Sequence, residues 1–574
     1  MSNLGILLAI IVVLASAVFS VKRRRQERLD RIRADWAKPV DHPRRFDSLA
    51  ESHISRISVS PGTRSLDDRT WADLNLDNVF AAIDRTTSTL GQQALYHRLR
   101  TAPVGKDLEA FEALTERLRD DVLARERAQI ALDRLQDPQG YNVWWLGQPD
   151  AVEGRRWFAI FPVLTAAALV SIALLPVSPA FVVVMLLVNL PARLLTDRRI
   201  GAIASSIRQC APLIGTAAAL KFIASDDVQA ITQPLRDDVS RLARLKWISS
   251  WANGNPFLLS FDAAPSLIIF NDLISVAYEY LNLLLLLDAT GAYFGLRDLN
   301  ANRASLLRIT AAVGEVDAAI SVASYRDGSD AWTRPRWHSD GPLTLTDLRH
   351  PLIVDPVPNS LALRPGTGVL VTGSNMSGKS TLLRTVGVNV ILAQTLNTCL
   401  ARDYVGPVLE VRSCIGRSDD LIAGKSYYLV EVEALLRLVR FSESTDPHLF
   451  LLDELFRGTN AVERVAAAYG VLQELVAADQ GRKPHVVIAA THDGELVNLS
   501  RECYDAHHFG DSIGPDGLVF DHRLKAGPAT TRTAIALLRQ SGAPETLVER
   551  ATATAALLDG QRNALMEPVR QPNV

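Results

Sequence analysis

Gly373-Ser374-Asn375-Met376-Ser377-Gly378-Lys379-Ser380 decides the fold of this 574-residue chain, because it fits G-x-x-x-x-G-K-[ST] and lies where a strand gives way to a helix. The apolar run Val369 to Thr372 leads in, and a helical pattern from Thr381 to Gln394 leads out. Glycines let backbone N–H groups converge on phosphate oxygens, so residues 373–381 form the expected phosphate cradle, closed by Thr381. Lys379 supplies a point charge to the β/γ-phosphates, and the Ser380 hydroxyl is placed to ligate Mg²⁺. The expected ligands are therefore nucleotide phosphates and Mg²⁺.

Working outward, His448 to Asp453 reads as a buried strand ending in two acids, Asp453-Glu454. Beside a phosphate loop, Asp453 would hold the metal through water, and Glu454 would orient or deprotonate the attacking water. A third buried strand, His485 to Thr491, ends at His492, which could reach the γ-phosphate from its loop. A lone histidine at a strand end is more often a polar surface residue, so His492 draws its meaning from the other two motifs.

In this order the motifs resemble the ATPase domain of the MutS family. The residues that carry the likeness are Arg349-His350-Pro351, Pro358-Asn359-Ser360, Thr372 to Thr381, Ser426 to Glu431, Leu452 to Asn460 and Ala490-Thr491-His492. Asn375-Met376 within the loop and Arg457-Gly458-Thr459 after the acids are more specific than a generic pair of nucleotide motifs. The resemblance implies that two nucleotide domains dimerise and that Ser426, at the start of one subunit's helix, caps the γ-phosphate bound to the other. By its residues alone Ser426 is equally a plain helix N-cap. The catalytic residues so expected are Glu454, His492 and Ser426, with Ser380 and Asp453 on the metal.

The resemblance also implies a helical core ahead of the ATPase, entered through Leu74 to Leu95 and left through Val313 to Ala323, and a helix-turn-helix tail that embraces a partner. No Arg-, Asn- and Gln-rich recognition helix stands in that tail. Phe441-Ser442-Glu443 spells the Phe-x-Glu mismatch wedge, but it lies inside the ATPase and is a chance match.

Composition bounds the rest. The chain is 48% apolar with a formal net charge of −2, which neither announces nor excludes nucleic acid. Its four cysteines, Cys210, Cys399, Cys414 and Cys503, show no C-x-x-C pairing, which argues against a zinc site or a disulfide framework. Leu4 to Val21 is uncharged and is followed by Lys22-Arg23-Arg24-Arg25, the pattern of a signal anchor with its amino end outside. Trp157 to Leu190 is apolar between basic flanks and reads as a membrane hairpin turned at Pro176 and Pro179. Ser266 to Leu287 carries Asn271, Asp272 and Glu279 and reads as a core helix.

The expected fold class is thus an α/β P-loop NTPase domain of ABC/MutS type at the carboxyl end, preceded by an all-α core and lever domain with transmembrane helices. Its parts are a transmembrane anchor (1–21), a linker (22–66), a helical core (67–156), a transmembrane hairpin (157–195) and a second core and lever part (196–330). The ATPase domain (331–525) and a helix-turn-helix dimerisation tail (526–574) complete it. The expected protein is a homodimeric ATPase in the cell membrane with about three spans, its ATPase facing the cytoplasm and DNA as partner by family likeness. The alternative is a membrane ATPase or scaffold that acts on protein partners without DNA.

Overall fold

The computed structural model describes every residue except 1–2, 60–63, 102–104, 137–143, 145–155, 195–197, 253–275, 277–279, 340, 375, 416–426, 445, 478–483, 515–516, 530–533 and 567–574. The chain divides into two compact units. One comprises Met1–Ser65, Phe80–Asp330 and Thr395–Asn397, and the other Leu66–Val79, Ala331–Gln394 and Thr398–Val574.

The first unit is helical. Its spine is the 41-residue helix Leu287–Asp327, interrupted at Asn302 (φ −123°, ψ 20°), whose side chain donates to the Asp298 carbonyl at 3.1 Å. The half beyond Asn302 crosses the helix Thr89–Arg100 at backbone contact: a Cβ on Gly314 would lie 2.6 Å from the Leu90 carbonyl oxygen, and one on Gly91 2.3 Å from Asp317 Oδ2. Only glycine permits that approach. The buried Asp317 accepts from the Thr87 N–H (2.9 Å), the Ser88 N–H (2.6 Å) and the Ser88 hydroxyl (2.6 Å), and Ser88 in turn caps the Gly91 N–H. Burial pushes the Asp317 carboxyl up to about 6. Near the spine's end the fully buried Arg326 forks onto Glu112 at 2.8 and 2.6 Å and also donates to the Leu396 and Asn397 carbonyls.

The membrane spans expected from the sequence are corrected here. Among the described residues no helix is long and apolar enough to cross a membrane. The presumed hairpin is two helices, Ile160–Ala173 and Ala180–Leu194, of 14 and 15 residues. At 1.5 Å per residue they reach about 21 and 22 Å, short of a hydrocarbon core of about 30 Å. Polar side chains inside the apolar run tie them to protein backbone: Thr165 donates to the Leu285 carbonyl and Asn189 to the Leu284 carbonyl, each at 2.6 Å. The presumed anchor is one helix, Asn3–Asp35, with the charged stretch from Lys22 onward, and most side chains of its apolar part lie outside the described residues. The fold class therefore loses its transmembrane helices, and placement as a multi-pass cell-membrane protein falls with them. Most of Ser266 to Leu287 also lies outside the described residues.

The second unit is built on sheets. A six-stranded sheet has the order β10-β9-β4-β8-β7-β6, with β4 Gly368–Thr372, β6 Glu410–Cys414, β7 His448–Asp453, β8 Val486–Ala490, β9 Tyr504–Gly514 and β10 Gly517–Ala526. All neighbours are parallel except β9 and β10. Helices on both faces bury β4 and β8 throughout, which is why these strands read as unbroken apolar runs. A smaller sheet, β1-β5-β2-β3, joins β1 Arg336–Trp337, β2 Leu343–Leu348, β3 Asn359–Leu363 and β5 Asp403–Gly406. The short helix Asp68–Asp73 covers the edge strand β6, where Asp73 accepts from the Ser413 hydroxyl (2.8 Å) and the Ile415 N–H (2.9 Å).

Parallel pairing brings the carboxyl ends of β4, β7 and β8 level. Val371 and Asp453 both stand opposite Ala490, so the phosphate loop, the acidic pair and His492 emerge at one edge, where open α/β sheets bind ligands.

Candidate nucleotide site

The phosphate loop turns on two glycines with positive φ, Gly373 (145°) and Gly378 (119°). Gly373 has a second constraint. A Cβ there would lie 2.8 Å from Ser377 Oγ and 3.0 Å from the Phe509 carbonyl oxygen. Met376 adopts φ 70° and projects into solvent, and Asn375 lies outside the described residues. The helix Lys379–Leu396 then starts, and its first-turn N–H groups and positive dipole end suit an anion.

Lys379 is only 5% exposed and folds back over the loop, with Nζ donating to the Gly373 and Ser374 carbonyls at 2.8 Å each. Burial, and secondarily the Arg457 charge, pushes its ammonium down to about 8 against the pull of Asp453. The hydroxyls of Ser374 and Ser377 are buried without a partner among the described residues. His522 supports the loop from β10, its Nδ1 3.1 Å from the Ser377 carbonyl, and Asn359 fixes that bulge by donating to the His522 carbonyl and accepting from the Leu524 N–H.

The Ser380 hydroxyl donates to Asp453 Oδ2 at 2.5 Å, while Asp453 Oδ1 is buried with no partner among the described residues. A hydroxyl and a carboxylate side by side, with an unsatisfied oxygen between strand ends, fit Mg²⁺, a hard cation that takes oxygen ligands and fills its shell with water and phosphate. Among the described residues no group of three or more His, Cys, Asp or Glu could hold a metal.

Glu454 has left-handed backbone (φ 49°), and its N–H donates to the Ala490 carbonyl at 2.9 Å. Its carboxylate faces His492 Nε2 at 2.5 Å and pairs with Arg457. Burial, then the Lys379 and Arg457 charges, pushes His492 below its ordinary range, opposed by the Gly373 backbone and Asp453. Neutral imidazole with its proton on Nε2 donates to Glu454, so the 3.4 Å approach of that nitrogen to the donor-only Lys379 is a contact and not a hydrogen bond. Of the residues expected from sequence, Lys379, Ser380, Asp453, Glu454 and His492 thus meet at one place, and Thr381 is exposed on the helix's first turn. Ser426 lies outside the described residues, immediately before the helix Tyr427–Ser442.

Three supports were not evident in the sequence. Glu431, on that helix, accepts the Phe456 N–H at 2.7 Å and so holds the turn after the acids, where Phe456 also has positive φ (59°). Gly458 leaves room for Tyr428 of the same helix, 3.2 Å from where its Cβ would stand. Arg464 forks onto Asp493 at 3.0 and 2.8 Å, joining the helix after β7 to the residue following His492. The family-like Leu452 to Asn460 stretch hinted at the first two, and no local motif marks the third.

A family model described as MutS domain V matches residues 369–559. The DNA mismatch repair protein MutS 2 of Halobacterium salinarum is 34% identical over 270 residues, 45% of this chain and 30% of that protein. The DNA mismatch repair protein MutS of Thermus thermophilus is 33% identical over 284 residues, 48% of this chain and 33% of that protein. The corresponding protein of Leptospira interrogans is 29% identical over 281 residues, 47% of this chain and 32% of its own length. The chain spans about a third of the length of the curated relatives it matches.

Proposed function

Because this chain belongs to the MutS family, we propose that it binds and hydrolyses ATP as a dimer and couples that cycle to DNA. The observation that carries the nucleotide reading is the Ser380 to Asp453 hydrogen bond beside an unsatisfied Asp453 oxygen, facing Lys379 across the loop. Ser380 and Asp453 would hold Mg²⁺, which when bound neutralises charge on the β/γ-phosphates. The backbone of residues 373–381 binds the phosphates, and Lys379 trades its carbonyl partners for phosphate oxygens. Glu454 orients the attacking water and takes its proton. His492 and Arg457 hold the Glu454 carboxylate in place while the water is aligned. Ser426 of a second copy caps the γ-phosphate, and residues 526–574 brace that partner.

The experiment is Glu454→Gln. ATP binding should persist, while turnover falls about 10²- to 10⁴-fold, the range for loss of a general base. Unchanged turnover would refute the assignment of Glu454.

The printed function of the relatives supports DNA as the ligand, since each is named a DNA mismatch repair protein. A salt titration of binding to duplex, mismatched and branched DNA tests it, because phosphate contacts make affinity fall steeply with salt. Absence of binding to all three, with and without nucleotide, would instead favour protein partners.

A further inference from the structure

The helical unit holds a cleft of about 530 Å³ that takes no part in the chemistry above, a volume typical of small-molecule sites. Its walls come from the charged end of the helix Asn3–Asp35 and the segment after it, the start of the helix Thr89–Arg100, and the helix Val122–Leu132. Four guanidinium groups, those of Arg28, Arg31, Arg45 and Arg85, line it against two carboxylates, Asp35 and Asp133. Arg28 is 3.3 Å from Asp133, so those two charges largely cancel. Arg31 and Arg45 are exposed and carry neither an ion pair nor a side-chain hydrogen bond among the described residues, leaving the cleft cationic.

Its floor contains polar atoms that folding leaves unsatisfied. Among the described residues Thr89 Oγ1, Arg85 Nε and Gln129 Oε1 have no hydrogen-bond partner, although these residues are only 9%, 9% and 8% exposed. Buried polar groups are rarely left so. Thr89 opens a 12-residue helix whose positive end adds to the arginine field, and Ile32, Trp36, Val40 and Pro43 give one wall an apolar surface. Two donors and an acceptor at the floor, free guanidinium forks at the rim and an apolar side together describe one kind of guest.

We propose that this cleft binds a small phosphate ester, its phosphate held by Arg31 and Arg45 and its hydroxyl-bearing organic body set against Thr89, Arg85 and Gln129. Guanidinium forks match phosphate oxygens in geometry and charge.

The test is calorimetric titration of the full chain with AMP, ribose 5-phosphate and inorganic phosphate at fixed ionic strength. The same titrations are run on Arg31→Gln/Arg45→Gln, Thr89→Val and Lys379→Ala. The two arginines are exposed and the threonine change is nearly isosteric, so these variants keep the fold. A phosphate ester should bind with Kd below about 1 mM. Affinity should fall about 100-fold in the double variant and about tenfold in Thr89→Val, and be retained in Lys379→Ala. Loss in Lys379→Ala with retention in the arginine variant would put the ligand at the phosphate loop and overturn the proposal. So would the absence of heat with all three probes. Binding of a single-stranded oligonucleotide that depends on the two arginines, without AMP binding, would assign the cleft to a nucleic-acid backbone and overturn it as well.

Discussion

Lys379 gives the nucleotide site a pH dependence whose sign opposes that of the fold itself. Its ammonium lies at about 8 instead of the ordinary 10.5, because it is buried and shares the pocket with Arg457. Only the charged form attracts triphosphate. About nine-tenths of the protein carries it at pH 7 and about a tenth at pH 9, so affinity for ATP should fall about tenfold across that interval. Stability runs the other way. Between about 8 and 10.5 the unfolded chain keeps a proton that the folded chain has lost, so folding gains with rising pH, by up to about 3 kcal/mol from this group. Below pH 8 both states hold the proton and the contribution is constant. Equilibrium titration with a fluorescent ATP analogue from pH 7 to 9.5, together with urea unfolding of the nucleotide-free protein, measures both slopes. In Lys379→Met both should vanish. An affinity flat with pH in the wild type, or falling equally in Lys379→Met, would refute the assignment of the buried ammonium to phosphate binding.

Other expectations follow from close contacts. Gly373→Ala places a methyl 2.8 Å from Ser377 Oγ at a φ of 145°, and should abolish nucleotide binding by titration while circular dichroism stays native. Gly368→Ala drives a Cβ to 2.0 Å from the Tyr504 ring and should cost about 1–3 kcal/mol in urea unfolding, as overpacked cores do. Arg326→Met removes the guanidinium that forks onto the buried Glu112 and should cost about 3–5 kcal/mol, much of it recovered in Arg326→Met/Glu112→Met. Asp317 at about 6 is ionised less readily folded than unfolded, so its contribution to stability is fully present below pH 3.8 and lost as pH rises through about 6. Asp317→Asn should remove that slope from unfolding curves taken between pH 4 and 6.5.

The residues of the candidate nucleotide site could be picked out because their motifs are local. Val369 to Ser380 encodes strand, loop and helix start in consecutive residues, and His448 to Glu454 encodes a buried strand and its terminal acids likewise. What stayed hidden depends on pairing across the chain. His522 reaches the Ser377 carbonyl from 145 residues away through a β-bulge, and Arg464 meets Asp493 only because β7 and β8 are neighbours. The apolar stretch Trp157 to Leu190 misled for a related reason. Its length suffices for spans when counted as one run, but the turn after Ala173 cuts it into two short helices, and Thr165 and Asn189 find backbone partners at positions 284–285. Asp317 and Gly91 were legible as helix residues, not as the place where two helices touch.

The turn behind the acidic pair carries a mechanical consequence. Two left-handed residues without glycine, Glu454 and Phe456, are held by the Ala490 carbonyl and the Glu431 carboxylate, which accept their respective N–H groups, and Tyr428 fills the notch beside Gly458. The rod Tyr427–Ser442 is therefore latched, near its leading end, to the turn that carries Glu454. A shift of that rod is passed to the turn that carries Glu454 through the Glu431 to Phe456 hydrogen bond, by a route that bypasses residues 373–381.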